Sequence, residues 1–361
     1  MFYTKELQAL DKKQLLRVRK IFPSSYLDFA SNDYLGLSYN KKQFSKAYKL
    51  LRKENLNAPR ASVLVNGYSK LHKKLESELS KINNFQSCIL VGSGFLANIA
   101  LFESLVRKND ILFIDEEYHA SGILATKLLK NVIIFKHNDY KDLESKIKQS
   151  HIQSRILIAI EGIYSMSGDI AKKEFINIAI KYDAILIVDE AHSSGTLGKN
   201  LLGYFDYYDI KIRDNFIKLG TLSKAYGSYG AYILSSKHIT KYLQTRAKPI
   251  IYSTALSSFD TALALVNVKY IQKNKNSLTK KIKTLKKLIV ENLKIKLDSQ
   301  VFSIKFQNQN KMLQKAKSLK KNKILVGAIR KPTVQYPVLR IILSTKHRKK
   351  DILNLCDLLK K

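Results

Sequence analysis

The chain has 361 residues, of which 45% are hydrophobic, and it carries 64 lysines and arginines against 29 aspartates and glutamates. This composition excludes a disordered tail and predicts a globular protein with one large and one small domain. The lysines recur in nearly every predicted helix, which favours a generally basic surface over a dedicated nucleic-acid-binding arm. A net charge of +35 leaves an anionic partner open: nucleic acid, an acidic carrier protein or a phosphate-bearing substrate.

The two cysteines, Cys88 and Cys356, are too few for a disulfide framework. No apolar run approaches the roughly 20 residues of a membrane span. Residues 1–6 lack the charged-then-apolar order of a signal peptide. We therefore expect a cytoplasmic protein that does not associate with a membrane.

In chain order, the pattern first predicts a basic helix over residues 1–22, a turn-rich stretch over 27–37 and helices over 41–54 and 69–82. Short apolar runs then alternate with helical segments up to residue 234. Fully apolar strands separated by helices are typical of a mostly parallel sheet buried on both faces. The seven strand candidates are 88–91, 111–114, 132–135, 156–160, 185–188, 216–219 and 231–234.

Residues 236–295 are predicted to be helical, and a mixture of strands and helices follows them. The later strand candidates are 302–306, 324–329 and 338–343, and the later helices are 309–320 and 348–360. This pattern predicts a small α+β domain at the end of the chain. We expect an N-terminal arm over 1–40, a large domain over 41–270 and a small domain over 271–361.

Polar residues follow several of the predicted strands, where ligands bind in sheets of this kind. The stretch Val91-Gly92-Ser93-Gly94-Phe95 joins a strand to a helix, and free amides at a helix start favour an anion such as a phosphate. Turns of this type are common, so the stretch alone is a weak signal.

Asp189 ends a fully apolar strand, where a carboxylate is costly without a partner. Lys224 follows the next strand. Burial or a nearby cation lowers the pKa of a lysine, which can then act as a nucleophile. We therefore hypothesise that Lys224 holds pyridoxal 5'-phosphate as a Schiff base while Asp189 pairs with the ring nitrogen. Thr221 and Ser223 could bind the phosphate with their hydroxyl groups.

Three more loop residues fit this hypothesis. His119 could stack on the cofactor ring, His192 could approach its phenolic oxygen, and Ser165 could touch it. Each also has an ordinary interpretation, since a lone loop histidine is often solvated and Ser165 could only stabilise its own turn. The scattered histidines and distant cysteines show no metal-ligand spacing.

The stretches 31–37, 93–95, 161–169, 189–192, 221–224 and 251–254, in this order, resemble the α-oxoamine synthases over nearly the whole chain. These are pyridoxal-phosphate enzymes of fold type I. The resemblance implies a mostly parallel seven-stranded sheet flanked by helices, plus a smaller C-terminal α+β domain. It also implies an active homodimer.

The resemblance also implies a role for each matching residue. Lys224 binds the cofactor and moves protons at the substrate carbon, Asp189 pairs with the ring nitrogen, and His119 stacks on the ring. Arg340 binds the amino-acid carboxylate, to which a planar guanidinium is suited. The remaining implied roles are phenolic-oxygen contacts from His192 and Ser165, phosphate contacts from Ser93, Gly94, Phe95 and Thr221, a phosphate contact to the neighbouring subunit from Thr254, and an acyl-substrate contact from Arg17.

Residues 328–334 and 339–341 resemble the branch that condenses L-alanine with pimeloyl-CoA or pimeloyl-acyl carrier protein and releases CO2. Glycine C-acetyltransferase, 5-aminolevulinate synthase and serine palmitoyltransferase activities are the alternatives within the family. A catalytically silent, basic nucleic-acid-binding protein is a remote alternative. Residues 57–62 depart from the glycine- and serine-rich pattern of the family, and Lys331 stands where the branch commonly has proline.

Overall fold

The computed structural model of the protein describes residues 2–55, 57–150, 155–331 and 333–360. Within these ranges the chain forms thirteen helices that alternate with strands. The helices are α1 Thr4–Lys12, α2 Lys41–Glu54, α3 Lys70–Asn83, α4 Gly94–Leu105, α5 Ala120–Thr126, α6 Tyr140–Gln149, α7 Glu174–Lys181, α8 Tyr204–Tyr207, α9 Lys237–Arg246, α10 Lys248–Ile251, α11 Ser258–Leu293, α12 Gln309–Lys321 and α13 Lys349–Lys360.

The same ranges contain twelve strands in three sheets. The strands are β1 Leu27–Asp28, β2 Ser87–Val91, β3 Ile111–Asp115, β4 Val132–Phe135, β5 Ile156–Glu161, β6 Ile185–Asp189, β7 Phe216–Thr221, β8 Ala231–Ser235, β9 Val301–Lys305, β10 Ile324–Leu325, β11 Gly327–Ile329 and β12 Val338–Ile342.

The central sheet has seven strands in the described part of the chain, in the order β2-β8-β7-β6-β5-β3-β4. Strand β8 is antiparallel to both of its neighbours, and the other pairings are parallel. Each of the seven strands predicted from 88 to 234 lies in this sheet, which confirms the predicted fold. The structure extends β5 and β6 beyond the apolar runs because Glu161 still pairs with Asp189 across the ladder, and it extends β7 because Thr221 still pairs with Ala231 of β8.

The central sheet is buried on both faces. In β6, Leu186 and Val188 point into one hydrophobic cluster and Ile187 points into another, as the two-residue period of a strand requires. Helices α4 and α9 cover the side of Ile187. The sheet is therefore a rigid platform whose strand ends can hold polar side chains in fixed positions.

The C-terminal part of the chain forms a smaller α+β module, as predicted. Its antiparallel sheet has the order β11-β12-β9, and a third hydrophobic cluster lies between this sheet, α12, α13 and the end of α11. The single strand predicted over 324–329 is divided into β10 and β11, since β10 pairs with β1 and β11 pairs with β12. Helix α11 is 36 residues long and crosses residue 270, where the predicted domain boundary falls.

The predicted helix over residues 1–22 is wrong in its extent. Helix α1 covers only Thr4–Lys12 and buries none of its residues, and the segment from 15 to 23 has no regular structure. Leu7 and Leu10 are exposed. An amphipathic pattern needs an apolar surface to pack on, and without one a short helix is only marginally stable. In the described residues, no helix is both long and apolar enough to cross a membrane.

Candidate active site

Lys224 lies in the turn after β7, at the edge of the sheet where the parallel strands end. Its Nζ is 2.7 Å from Nε2 of His192, and the side chain is half-buried. Burial lowers the pKa of Lys224 to about 8, against the opposite effect of Asp189 and Glu161. Lys224 therefore loses its proton more readily than an ordinary lysine, and the uncharged amine is the nucleophilic form.

His192 bridges Lys224 and a buried tyrosine. Its Nδ1 lies 2.6 Å from the hydroxyl of Tyr34. Burial lowers the pKa of His192 well below its ordinary value, and the charge of Lys224 adds to this effect. The imidazole is therefore neutral, with one nitrogen that donates and one that accepts. Sequence reasoning did not identify Tyr34.

Asp189 is almost fully buried at the end of β6. One carboxylate oxygen accepts from the backbone of Ala191 and the other from Nδ2 of Asn98, each at 2.9 Å. Among the described residues it forms no salt bridge within 4.0 Å. Burial and the proximity of Asp189 raise the pKa of Glu161 well above its ordinary value. Asp189 is left as a buried carboxylate that needs a cationic partner.

Asn98 connects Asp189 to the predicted ring-stacking residue. Its Nδ2 donates to Ser121 at 3.0 Å, and the Ser121 hydroxyl lies 2.7 Å from Nδ1 of His119. The hydroxyl of Tyr118 donates to the Asn98 oxygen at 2.8 Å. The structure thus places His119 on the same hydrogen-bonded path as Asp189, and it adds Asn98 and Tyr118 to the predicted set.

The start of α4 is the stretch predicted to bind an anion. The Ser93 hydroxyl accepts from the backbone of Leu96 at 3.2 Å, and the N–H groups of Gly94 and Phe95 belong to the first turn, which has no intrahelical acceptors. A Cβ built on Gly94 would meet only open space and the Cβ of Thr221 at 4.0 Å. Thr221 therefore lies next to the helix start, whose free N–H groups are suited to a phosphate group.

Arg340 reaches the site from β12 of the small module. It donates from Nε to the carbonyl of Ser165 at 2.5 Å and from its terminal nitrogen to the side-chain oxygen of Asn32 at 3.0 Å. It is 7% exposed, and it forms no salt bridge within 4.0 Å with a described carboxylate. Both of its partners are neutral oxygens, so the guanidinium retains a charge that an anionic ligand can balance.

The loop that carries Ser165 is held by a charged histidine that sequence reasoning also missed. His137 contacts Asp115 through Nδ1 at 3.1 Å and Asp169 through Nε2 at 3.2 Å. Burial alone would lower the pKa of His137, but the hydrogen bonds to these two carboxylates raise it to about 10. Tyr164 also donates to Asp115, at 2.6 Å. This clamp positions the Ser165 carbonyl that orients Arg340.

In the described part of the chain, two predicted site residues make no hydrogen bond with this cluster. Arg17 is exposed, and in the described part of the chain it makes no hydrogen bond to any of the side chains above. Thr254 is exposed in a β-bridge with Ser62, within the stretch 57–62 that departs from the family pattern. The contact predicted for Thr254 is with the cofactor of a neighbouring subunit.

These residues fit pyridoxal 5'-phosphate. An unpaired buried carboxylate at Asp189 suits a pyridinium nitrogen, and a lysine of lowered pKa suits the aldehyde. The helix start at Gly94 suits the phosphate. Each of these features lies at the carboxyl edge of the same sheet.

Comparisons with known proteins agree with this assignment. Residues 24–359 match the model of the family described as aminotransferase class I and II, and the chain belongs to this family. Two proteins named 8-amino-7-oxononanoate synthase, from two strains of Helicobacter pylori, are 44% and 45% identical to it, over 99% of this chain and 96% of each relative. A putative 8-amino-7-oxononanoate synthase from Aquifex aeolicus is 36% identical, over 96% and 94%.

Solved structures support the same fold. The 8-amino-7-oxononanoate synthase from Francisella tularensis has a TM-score of 0.77 and 29% identity, over 93% of this chain and 97% of that one. A serine palmitoyltransferase from S. paucimobilis, at 20% identity and a TM-score of 0.90, shows the fold alone. The chain is thus a pyridoxal-phosphate-dependent C-acyltransferase of the α-oxoamine synthase type, which confirms the resemblance seen in the sequence.

Proposed function

We propose that the protein condenses L-alanine with a pimeloyl thioester, releasing CO2 and the free thiol, to give 8-amino-7-oxononanoate for biotin biosynthesis. The names of the relatives at 44% and 45% identity support this reaction. The observation that carries it is the pairing of a half-buried, weakly basic Lys224 with a buried Arg340 that lacks a carboxylate partner among the described residues. An α-amino acid presents one group to each.

In this proposal the bound cofactor supplies an electron sink for a carbanion. Lys224 holds the cofactor through Nζ and later moves the proton at the α-carbon of the amino acid. Arg340 binds the amino-acid carboxylate with its planar fork, and Asn32 and Ser165 hold that fork in place. When the cofactor is bound, Asp189 would keep the ring nitrogen protonated. His192 would donate to the phenolic oxygen, and the first turn of α4 would bind the phosphate.

A substrate panel on the holoenzyme tests the reaction. Alanine, glycine and serine are each combined with short, dicarboxylic and long acyl thioesters, and thiol release is measured. We expect the highest kcat/KM for alanine with the pimeloyl thioester. A preference for glycine with acetyl or succinyl thioesters, or for serine with palmitoyl thioester, would reassign the protein to one of the other activities in the family.

We also propose an active homodimer in the cytoplasm. Exposed apolar side chains lie on the two segments joined by the bridge between Ser62 and Thr254, including Val65 at 75% and Tyr252 at 80% exposure. Exposed apolar patches of this kind mark interaction sites, and Thr254 lies among them. We expect light scattering to give a dimer at the protein concentration of the activity assay. A fully active monomer would rule out the predicted role of Thr254.

The acyl group is proposed to arrive on an acidic carrier protein. Residues 271–361 hold 25 of the lysines and arginines but only four of the aspartates and glutamates, and this module also provides Arg340. A basic surface beside the site would steer an acidic donor. We expect kcat/KM for carrier-bound pimeloyl to fall steeply with salt while the value for pimeloyl-CoA changes less. Equal and salt-independent values for the two donors would contradict steering.

A further inference from the structure

Tyr34 is a buried tyrosine whose hydroxyl reaches the active-site histidine from the side opposite Lys224. It is 0% exposed, and its ring meets the imidazole edge-on, with centroids 6.1 Å apart. The hydroxyl has one proton and two possible acceptors: Nδ1 of His192 at 2.6 Å and the side-chain oxygen of Asn32 at 3.5 Å. The first distance is a strong hydrogen bond and the second is at the limit of one.

These distances determine where the imidazole proton lies. If Tyr34 donates to Nδ1, the single proton of neutral His192 is on Nε2. That nitrogen lies 2.7 Å from Nζ of Lys224 and then donates to it. A lysine nitrogen can accept a hydrogen bond only as the uncharged amine, so this arrangement requires Lys224 as a free base.

The opposite arrangement is less favourable. A charged Lys224 would donate to Nε2, the imidazole proton would move to Nδ1, and Nδ1 would donate to the oxygen of Tyr34. The hydroxyl proton of Tyr34 would then have only the contact of 3.5 Å with Asn32. The bond between Tyr34 and His192 is thus reversed rather than lost, but the hydroxyl proton keeps only a contact at the limit of a hydrogen bond, which is costly in a buried site.

We propose that Tyr34 is a positioning residue that holds the proton of His192 on Nε2 and thereby keeps Lys224 as the free, nucleophilic amine. This inference rests on the proposed function only in taking Lys224 as the amine that captures the cofactor. It adds a tyrosine from the turn-rich stretch near the N-terminus to the group that prepares this lysine.

Other charges also act on this pair. Asp189 and Glu161 from the neighbouring strands favour the charged lysine, and Arg340 disfavours it. His119 and Arg340 both disfavour a charged His192. These groups are the same in the wild type and in a Tyr34→Phe variant, which removes one hydroxyl. A comparison of the two therefore reports the contribution of the Tyr34 hydroxyl, which interacts with Arg340 as well as with His192.

The test measures how fast the full-length, cofactor-free chain captures pyridoxal phosphate as the pH is varied, followed by visible absorbance. For the wild type we expect the rate to rise with a midpoint at about pH 8. For Tyr34→Phe we expect the midpoint to move to higher pH and the rate at neutral pH to fall about tenfold, the equivalent of one hydrogen bond. Tyr182→Phe, which removes a hydroxyl bonded to Glu144, should match the wild type.

Two outcomes would separate the possible failures. If borohydride reduction places the cofactor on a lysine other than Lys224, the proposed function fails. If Lys224 captures the cofactor but Tyr34→Phe keeps the wild-type midpoint, only the role of Tyr34 fails. Should the variant not fold, ¹⁵N NMR of His192 in the wild type gives the answer directly. Above the midpoint we expect the proton on Nε2, and a proton on Nδ1 would overturn the inference.

Discussion

Replacement of Lys224 by alanine is expected to abolish the proposed condensation of L-alanine with a pimeloyl thioester, with a loss of more than about a thousandfold in kcat. The amine is both the attachment point proposed for the cofactor and the group that moves the α-proton, so one substitution removes two functions. The visible absorbance of the lysine-bound cofactor should disappear as well. Thiol release and absorbance spectra of the purified variant measure both effects.

Lys211→Ala is a suitable control because Lys211 is exposed and lies in a loop before β7. It should keep wild-type turnover and the wild-type spectrum. The Lys224→Ala variant should remain folded, since its side chain is only half-buried and its main polar partner is His192. Retained turnover in a folded Lys224→Ala protein would refute the assignment of the catalytic lysine.

Substitution of Arg340 is expected to raise KM for the amino acid more than it lowers kcat. Arg340→Met removes the charge, and the loss of a charge-assisted hydrogen bond of about 1.5–3 kcal/mol corresponds to an increase in KM of roughly 10- to 100-fold. Arg340→Lys keeps the charge but loses the planar fork that contacts Ser165 and Asn32, so its KM should lie between those of the wild type and Arg340→Met. Steady-state kinetics with varied alanine measure the change.

Arg348→Lys provides the matched control. Arg348 belongs to the same module, is exposed and pairs with Asp351 at 3.0 Å, so its exchange for another cation should leave KM unchanged. Thermal unfolding of all three variants separates binding from stability. An unchanged KM for alanine in a folded Arg340→Met protein would show that the carboxylate binds elsewhere.

The central sheet could be predicted from the sequence because each of its strands has a recognisable local pattern. Runs such as 185–188 are short, wholly apolar and followed by polar residues, and both faces of the sheet demand that pattern. The positions of Asp189 and Lys224 at the strand ends followed from the same rule. The family resemblance then attached a chemistry to those positions.

The supporting residues could not be predicted in the same way. Tyr34 and His192 are 158 positions apart, and Asn98 and Asp189 are 91 apart, so no local pattern connects them. His137 is one histidine among seven, and it becomes charged only where the fold brings Asp115 and Asp169 to its two nitrogens. The polar residues at the buried ends of strands β3 and β5 were the one available signal that these groups must have further hydrogen-bonding partners.

The prediction for the N-terminal segment was wrong in its extent for a different reason. Its helical periodicity is real, but the described chain offers no apolar surface that buries Leu7 or Leu10. The local pattern therefore predicted the helical tendency correctly but the length of the helix wrongly. The predicted roles of Arg17 and Thr254 stay predictions.

Helix α11 also bears on how the protein unfolds. At 1.5 Å per residue its 36 residues form a rod about 54 Å long. Val268 and Ile271 in its middle belong to the core beneath the central sheet, and Leu285 and Ile289 near its end belong to the core of the small module. Melting of either core would expose one half of the same helix. The two modules are therefore coupled into one cooperative unit, and Lys224 and Arg340 lose their alignment together.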